Sequence, residues 1–291
     1  MASKSRLGYV GVGLMGFPMA KRLVSLGYPV RAHDIVPERA AAARAAGAAV
    51  AASPADAVAG ADLVLLNLPT TEAVEQAVFG ESGVAAAVRP PQLVIDFSTI
   101  KVEKCKAFAA KLREQTGVGW IDAPVSGGPP ASGSGSLTVM AGGEPADIER
   151  ARGFFADVAG RFTHMGPAGS GMVAKMLNQL IVGCGYAVMA EAAVLAEAAG
   201  IDASRLPECL GGGHADGSLL QRIYPRMVAR DFAPQGYARQ LLKDLEMVNE
   251  FAGGMKAPTP MMGEALSLYR MLVHLGHSEL DGVALVKLYG R

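Results

Sequence analysis

The chain is poor in the residues that build covalent or metal frameworks. Its three cysteines, Cys105, Cys184 and Cys209, are odd in number, far apart and form no CxxC pair. That excludes a disulfide scaffold or zinc ribbon and fits reduced packing residues. The five histidines are scattered, no His/Cys/Asp cluster has metal-ligand spacing, and no metal is expected. No GxSxG or similar nucleophile motif occurs. An excess of either charge is lacking as well. Lys+Arg and Asp+Glu stand at 27 each, which argues against nucleic acid or a membrane surface as the main partner. The N-terminus, MASKSRLGYVGVG, enters folded sequence at once and lacks the apolar core of a signal peptide. The stretch 176–190 is 15 residues long, includes Asn178 and Gln179, and stops at Glu191. A membrane span needs roughly 20 apolar residues, so none is expected and the protein reads as cytoplasmic.

What the chain has in abundance is apolar sequence, 51% hydrophobic against 19% charged over 291 residues. That suits one large domain or two ordinary ones with a sizeable core. In the first half, RLGYVGVG, YPVRAHD, ADLVLLNLP and PQLVIDFST look like buried strands that end in polar or Gly/Pro residues. LMGFPMAKRLVSLG, PERAAAARAAG, SPADAVAG and VEKCKAFAAKLREQTG between them look helical. Such alternation predicts an α/β fold with a parallel, doubly wound sheet. VGWIDAPV, SLTVMAGG and RFTHMG add strand-like runs, with PADIERARGFFADVAG as a helix before the last. After Gly166 the periodicity is helical almost throughout. Residues 172–199 predict a helix of about 42 Å at 1.5 Å per residue. Apolar on nearly all sides, it is expected to be buried all round, as a spine joining two domains and two subunits.

GVGLMG at 11–16 has GxGxxG spacing, directly after a strand and opening a helix. Gly11 would permit the tight turn, Gly13 the approach of a pyrophosphate and Gly16 the close packing of helix on strand, with Leu14 and Met15 completing the cofactor turn. Asp34 ends the second strand, 23 residues beyond Gly11. A carboxylate there accepts hydrogen bonds from ribose hydroxyls and repels a 2′-phosphate, which favours NAD over NADP. The alternative for Asp34 is an N-cap before PERAAAARAAG. These features predict a Rossmann-type NAD-binding domain over 1–165, then an all-α C-terminal domain over 166–291 whose residues 166–200 form the long connecting helix.

From Met165 to Gly200 the only charged residues are Lys175, Glu191 and Glu197. Asn178 and Gln179 stand three and four positions after Lys175, on one helical face with it. A buried ammonium needs a partner or a task, the plainer alternative being a lysine that snorkels to the surface. SGGPPASGSGS at 126–136 reads by composition as a linker, yet it lies between two strand-like runs. Ser126, Gly127 and Gly128 are therefore read as an anion-binding loop and 129–136 as structural. Lys243, in ARQLLKDLEMVNEF, reads by itself as part of a solvated helical face.

Together the segments resemble the β-hydroxyacid dehydrogenase family from end to end. The matching stretches are GVGLMGFPMAKRL, NLPT at 67–70, DFSTI at 96–100, DAPVSGG at 122–128, GSLTVMAGG at 135–143, GSGMVAKMLNQ at 169–179 and LLKDL at 241–245. The resemblance implies that Lys175 is the catalytic acid/base and that Asn178 and Gln179 hold the substrate. It gives Ser126, Gly127 and Gly128 the substrate carboxylate, and it places Leu68, Pro69, Thr99 and Lys243 along the cofactor. It also implies interconversion of a short 3-hydroxy acid and its semialdehyde, while the apolar helix, which one small helical domain can hardly cover, predicts a homodimer or homotetramer. The Asn178-Gln179 pair and the 211–220 stretch look closest to the tartronate semialdehyde reductase branch, with 3-hydroxyisobutyrate dehydrogenase and glyoxylate/succinic semialdehyde reductase as alternatives. Gln179, Tyr237 and Val283 stand where other residues are commoner in the family. A non-catalytic dinucleotide-binding scaffold is the alternative of another class, and Lys175 is the residue that speaks against it.

Overall fold

The computed structural model describes residues 4–290. The chain divides into two compact units, one ending at Lys175 and the other beginning at Met176. In the first, the apolar runs become short strands: β1 (Leu7–Val10), β2 (Val30–His33), β3 (Ala49–Val50), β4 (Leu63–Leu66), β5 (Leu93–Asp96), β6 (Gly119–Asp122), β7 (Val125–Ser126), β8 (Leu137–Gly142) and β9 (Ala159–Gly166). The order β3-β2-β1-β4-β5-β6 is parallel throughout. β8 then joins β6 and β7 antiparallel and β9 parallel. β1, β4, β5 and β6 are buried along their whole length, as parallel strands covered on both faces are. Tyr9, Leu65, Ile95 and Ile121 from these strands fill one core with Phe97, Phe154 and Phe155. Strand order reverses between β2–β1 and β4, so a crevice is expected beyond the carboxyl ends of β1 and β4.

Some local structure differs from what composition suggests. Residues Gly128–Ser134, Gly/Ser/Pro-rich and read as loop, form a helix with proline in its first turn. These residue types are weak helix formers. Tertiary contacts hold the turn instead: Ala131 is in the core, and Ser132 Oγ donates to the Met15 carbonyl at 2.8 Å. Helices Thr71–Phe79 and Val84–Ala87, and the two-residue β3, were not foreseen. Of the cysteines, Cys105 is buried as a packing residue, whereas Cys209 is exposed.

The second unit holds helices Leu206–Leu210, Tyr224–Val228, Ala238–Gly254 and Pro260–His274, a π-turn at Leu219–Ile223 and a 3-10 stretch at Gly282–Tyr289. No strand occurs there among the described residues. Ala190, Ala193, Leu220, Tyr224, Met227, Val283 and Val286 make its core.

The helix Ser170–Ala198 runs through the boundary and has 29 residues. The expectation that it is buried all round is corrected. Leu177, Ile181, Val188 and Leu195 are each between 50% and 71% exposed, because none of the described residues covers that stripe. By length and composition alone this helix could cross a membrane, unlike the 15-residue stretch considered from sequence. Its polar groups are nevertheless tied into folded protein. Lys175 Nζ donates to the Val125 carbonyl, and Gln179 Nε2 donates to the Asp244 carboxylate.

Candidate active site

β1 runs out at Val10, and Gly11 turns the chain with φ +91°. A side chain there would be strained, and its Cβ would strike the Asn67 carbonyl. A Cβ at Gly16, the first residue of helix Gly16–Ser25, would strike the Gly11 carbonyl. Gly13 is different. The nearest atom to a Cβ there is Arg39 Nη1 at 3.6 Å, an ordinary contact, so the fold itself would admit a small side chain. The fold itself thus requires the outer glycines, whereas the middle one keeps a cradle empty above a helix N-terminus. Main-chain N–H groups and the helix dipole suit that cradle to an anion such as a pyrophosphate. Leu14 is exposed in this turn, and Met15 closes it through its bond from Ser132.

Asp34 follows β2. Its Oδ2 accepts from Val12 N and its Oδ1 from Val36 N, both at 2.9 Å. The carboxylate thereby pins the glycine turn to the end of β2. Arg39 Nη1 stands 3.9 Å from Oδ1, and the Asp34 side chain is 5% exposed. A carboxylate has about four lone-pair sites, so two bonds leave capacity for hydroxyl donors. Beyond β4 and β5, Leu68 N donates to Ser98 Oγ and Ser98 N to Asp96 Oδ1, both at 2.9 Å. Leu68, Pro69 and Thr99 therefore follow adjoining strands, at the same carboxyl end of the sheet as the glycine turn.

Lys175 is 7% exposed, and its Nζ donates to the Val125 carbonyl at 2.8 Å. The snorkelling alternative is excluded. Ser126 follows at once, then Gly127 at φ +128° and Gly128 at φ +72°. Only glycine adopts such angles without strain, and they let the loop turn with little side-chain bulk. Three residues before Val125, Asp122 is fully buried. Its Oδ1 accepts from Gly169 N at 2.7 Å and its Oδ2 from Met172 N at 2.9 Å. Burial pushes its carboxyl above the ordinary range, while main-chain donors at Gly169, Met172 and Gly171 pull the other way.

In the second unit, Asn178 Nδ2 donates to Gln179 Oε1 at 2.7 Å, and Gln179 Nε2 donates to Asp244 Oδ2 at 2.6 Å. Lys243 Nζ lies 3.1 Å from Asp244 Oδ1. Lys243, expected from the resemblance along the cofactor, is thus joined through Asp244 to the two expected substrate residues. Three groups emerge: the glycine turn with Asp34, Leu68, Pro69 and Thr99; Ser126, Gly127 and Gly128 with Lys175; and Asn178 with Gln179 and Lys243. Among the described residues no set of three His, Cys, Asp or Glu side chains could hold a metal ion.

Sequence reasoning missed Asp122, Asp244 and Ser98. A carboxylate closing the apolar run GWID was a visible signal for Asp122. Asp244 had no such signal, because an acid beside a lysine on a helix looks like a solvated pair.

Residues 6–166 match the family described as the NAD binding domain of 6-phosphogluconate dehydrogenase. Residues 169–289 match the one described as NAD-binding of NADP-dependent 3-hydroxyisobutyrate dehydrogenase. The chain is 35% identical to an NAD-dependent L-serine dehydrogenase of Pseudomonas aeruginosa, covering 98% of this chain and 97% of that one. It is 32% identical to the 2-hydroxy-3-oxopropionate reductase of Escherichia coli, covering 97% and 96%. A solved Mycobacterium tuberculosis 3-hydroxyisobutyrate dehydrogenase with L-serine superposes with a TM-score of 0.88 at 32% identity, covering 99% and 100%. With these matches spanning almost every residue, the chain belongs to the β-hydroxyacid dehydrogenase family, as an oxidoreductase with NAD(P)-binding domains.

Proposed function

We propose that the protein interconverts a short 3-hydroxy acid and its semialdehyde, tartronate semialdehyde and glycerate foremost, with NAD as cofactor and Lys175 as general acid/base. The observation that carries this is a buried ammonium, 2.8 Å from the Val125 carbonyl, one residue from the Ser126-Gly127-Gly128 turn. A bound nicotinamide cofactor would supply hydride chemistry, to the carbonyl carbon in reduction and from the hydroxyl-bearing carbon in oxidation. In reduction, Lys175 gives its proton to the carbonyl oxygen, and in oxidation the neutral amine takes the proton from the hydroxyl. Ser126 and the main chain at Gly127 and Gly128 take the substrate carboxylate, while Asn178 and Gln179 orient the rest. Gly11, Gly13, Leu14, Met15 and Gly16 cradle the cofactor phosphates, with Leu68, Pro69, Thr99 and Lys243 along it. Asp34 favours NAD, since a 2′-phosphate would meet its carboxylate. Residues 1–165 form the cofactor domain and 166–291 the all-α one. The exposed stripe of Leu177, Ile181, Val188 and Leu195 supports a homodimer or homotetramer. The protein works in the cytoplasm.

L-Serine offers the same carboxylate and 3-hydroxyl and is named for two of the relatives, so it ranks with 3-hydroxyisobutyrate as the second reading. Steady-state kinetics on tartronate semialdehyde, glyoxylate, succinic semialdehyde, 3-hydroxyisobutyrate and L-serine, each with both cofactors, test the proposal. The highest kcat/KM is expected for tartronate semialdehyde with NADH, and no turnover for its methyl ester. Efficient turnover of the ester would refute the carboxylate anchor. A preference for NADPH would refute the role of Asp34.

A further inference from the structure

A carboxylate without access to water is costly to keep charged unless its oxygens are satisfied, and Asp122 has no exposed surface. Its two oxygens accept from Gly169 N and Met172 N at 2.7 and 2.9 Å, main-chain donors at the start of the Ser170–Ala198 helix. N–H groups at that end have no acceptor within the helix, so the bonds fix its first turn to the end of β6. The contact leaves no slack. A Cβ at Gly171 would lie 2.8 Å from Asp122 Oδ2 and collide with the Met140 carbonyl, and one at Gly142 would lie 2.6 Å from Asp122 Oδ1.

Lys175 stands three residues beyond Met172, on the turn that Asp122 holds. Helical side chains lean toward the N-terminus, and Lys175 Nζ returns to the carbonyl of Val125, three residues beyond Asp122. Residues 122–125 therefore grip the helix backbone at one end and the ammonium at the other, and the chain passes directly into Ser126. We propose that Asp122 is a positioning residue for the acid/base: its carboxylate sets the height and rotation of the first helical turn, and so where Lys175 Nζ stands relative to the Ser126–Gly128 loop. The proposal rests on Lys175 being the acid/base.

Asparagine cannot make the same contact. An amide offers one acceptor oxygen and one NH2 group, so in Asp122→Asn one of the two main-chain donors meets another donor. The turn must shift, and a misplacement of about 1 Å at a reacting group can cost about 100-fold. The test is a double-mutant cycle of Asp122→Asn and Lys175→Ala, read by single-turnover reduction with enzyme in excess so that residual rates stay measurable. NADH affinity and thermal midpoint are measured alongside. Asp122→Asn is expected to lower the rate about 10- to 100-fold with NADH affinity unchanged. In the Lys175→Ala background the same substitution is expected to cost less than about twofold, since a residue acting through another loses its effect when that other is gone. An equal loss in both backgrounds, or no loss in either, overturns the positioning role while leaving Lys175→Ala impaired. A near-normal rate in Lys175→Ala alone overturns the acid/base reading and this proposal with it. If Asp122→Asn does not fold, Gly171→Ala pushes the same turn away while keeping the carboxylate, and the same dependence on Lys175 decides.

Discussion

Two lysines, one in each compact unit, are held by different partners. Lys175 donates to the main-chain carbonyl of Val125, whereas Lys243 stands 3.1 Å from the Asp244 carboxylate. At this one contact, a Lys175 that has given up its proton faces a neutral carbonyl. Lys243 instead faces a mostly buried carboxylate, and removing either partner of such a pair leaves the other without its counter-charge. The lysine proposed as acid/base thus meets a neutral carbonyl at Val125, whereas Lys243 meets an acidic partner. From sequence Lys175 stands out as the lone cation of an apolar helix and Lys243 reads as part of a solvated face; the partners give that difference its physical form.

The largest effect is expected where the proton-moving side of this contrast is removed without removing charge. Lys175→Arg keeps a cation that stays protonated and presents a planar fork, so kcat should fall by about 10²–10⁴, as for loss of a general acid–base group. Rescue by arginine would erase the distinction between the two lysines. On the fixed-charge side, Asp244→Ala leaves Lys243 without this carboxylate and the Gln179 amide without its acceptor. Stability should drop by about 1–3 kcal/mol, read from the urea midpoint, with a raised KM for the acid. An unchanged midpoint would mean the network carries no fixed charge worth holding. Asp34 sharpens the contrast from a third side, since its carboxylate also accepts two protein donors, yet lies at the rim of the glycine turn. Asp34→Asn should shift the NADH/NADPH preference by an amount on the order of 1–3 kcal/mol, with little change in kcat. The smallest effect is expected for Gly13→Ala. Its Cβ meets the protein only at 3.6 Å, so the midpoint should hold within about 0.5–1 kcal/mol while cofactor affinity weakens.

The strands were legible because LGYV, VRAH, LVLL and LVID are short apolar or alternating runs cut off by polar or glycine residues. The helix Gly128–Ser134 was not, since nothing in Gly, Pro and Ser favours a helix, and its packing against the core imposes one. The exposed stripe of the long helix was hidden for a related reason: an all-apolar composition says that a surface wants cover, not that its own chain supplies it. The glycine turn and the Lys175 helix could be read from spacing and context. Asp122 left only the trace of an acid closing an apolar run, since its partners are main-chain N–H groups, and Asp244 left none, since Gln179 is far away in sequence.

The most direct test of the acid/base assignment is Lys175→Ala, with hydride transfer, NADH affinity and folding measured on one preparation. Alanine is well tolerated in a helix, so the variant should fold and bind NADH as the parent does. Its kcat for semialdehyde reduction should fall by about 10²–10⁴. A folded variant with near-normal kcat would contradict the assignment and make Lys175 a buried structural lysine held by the Val125 carbonyl.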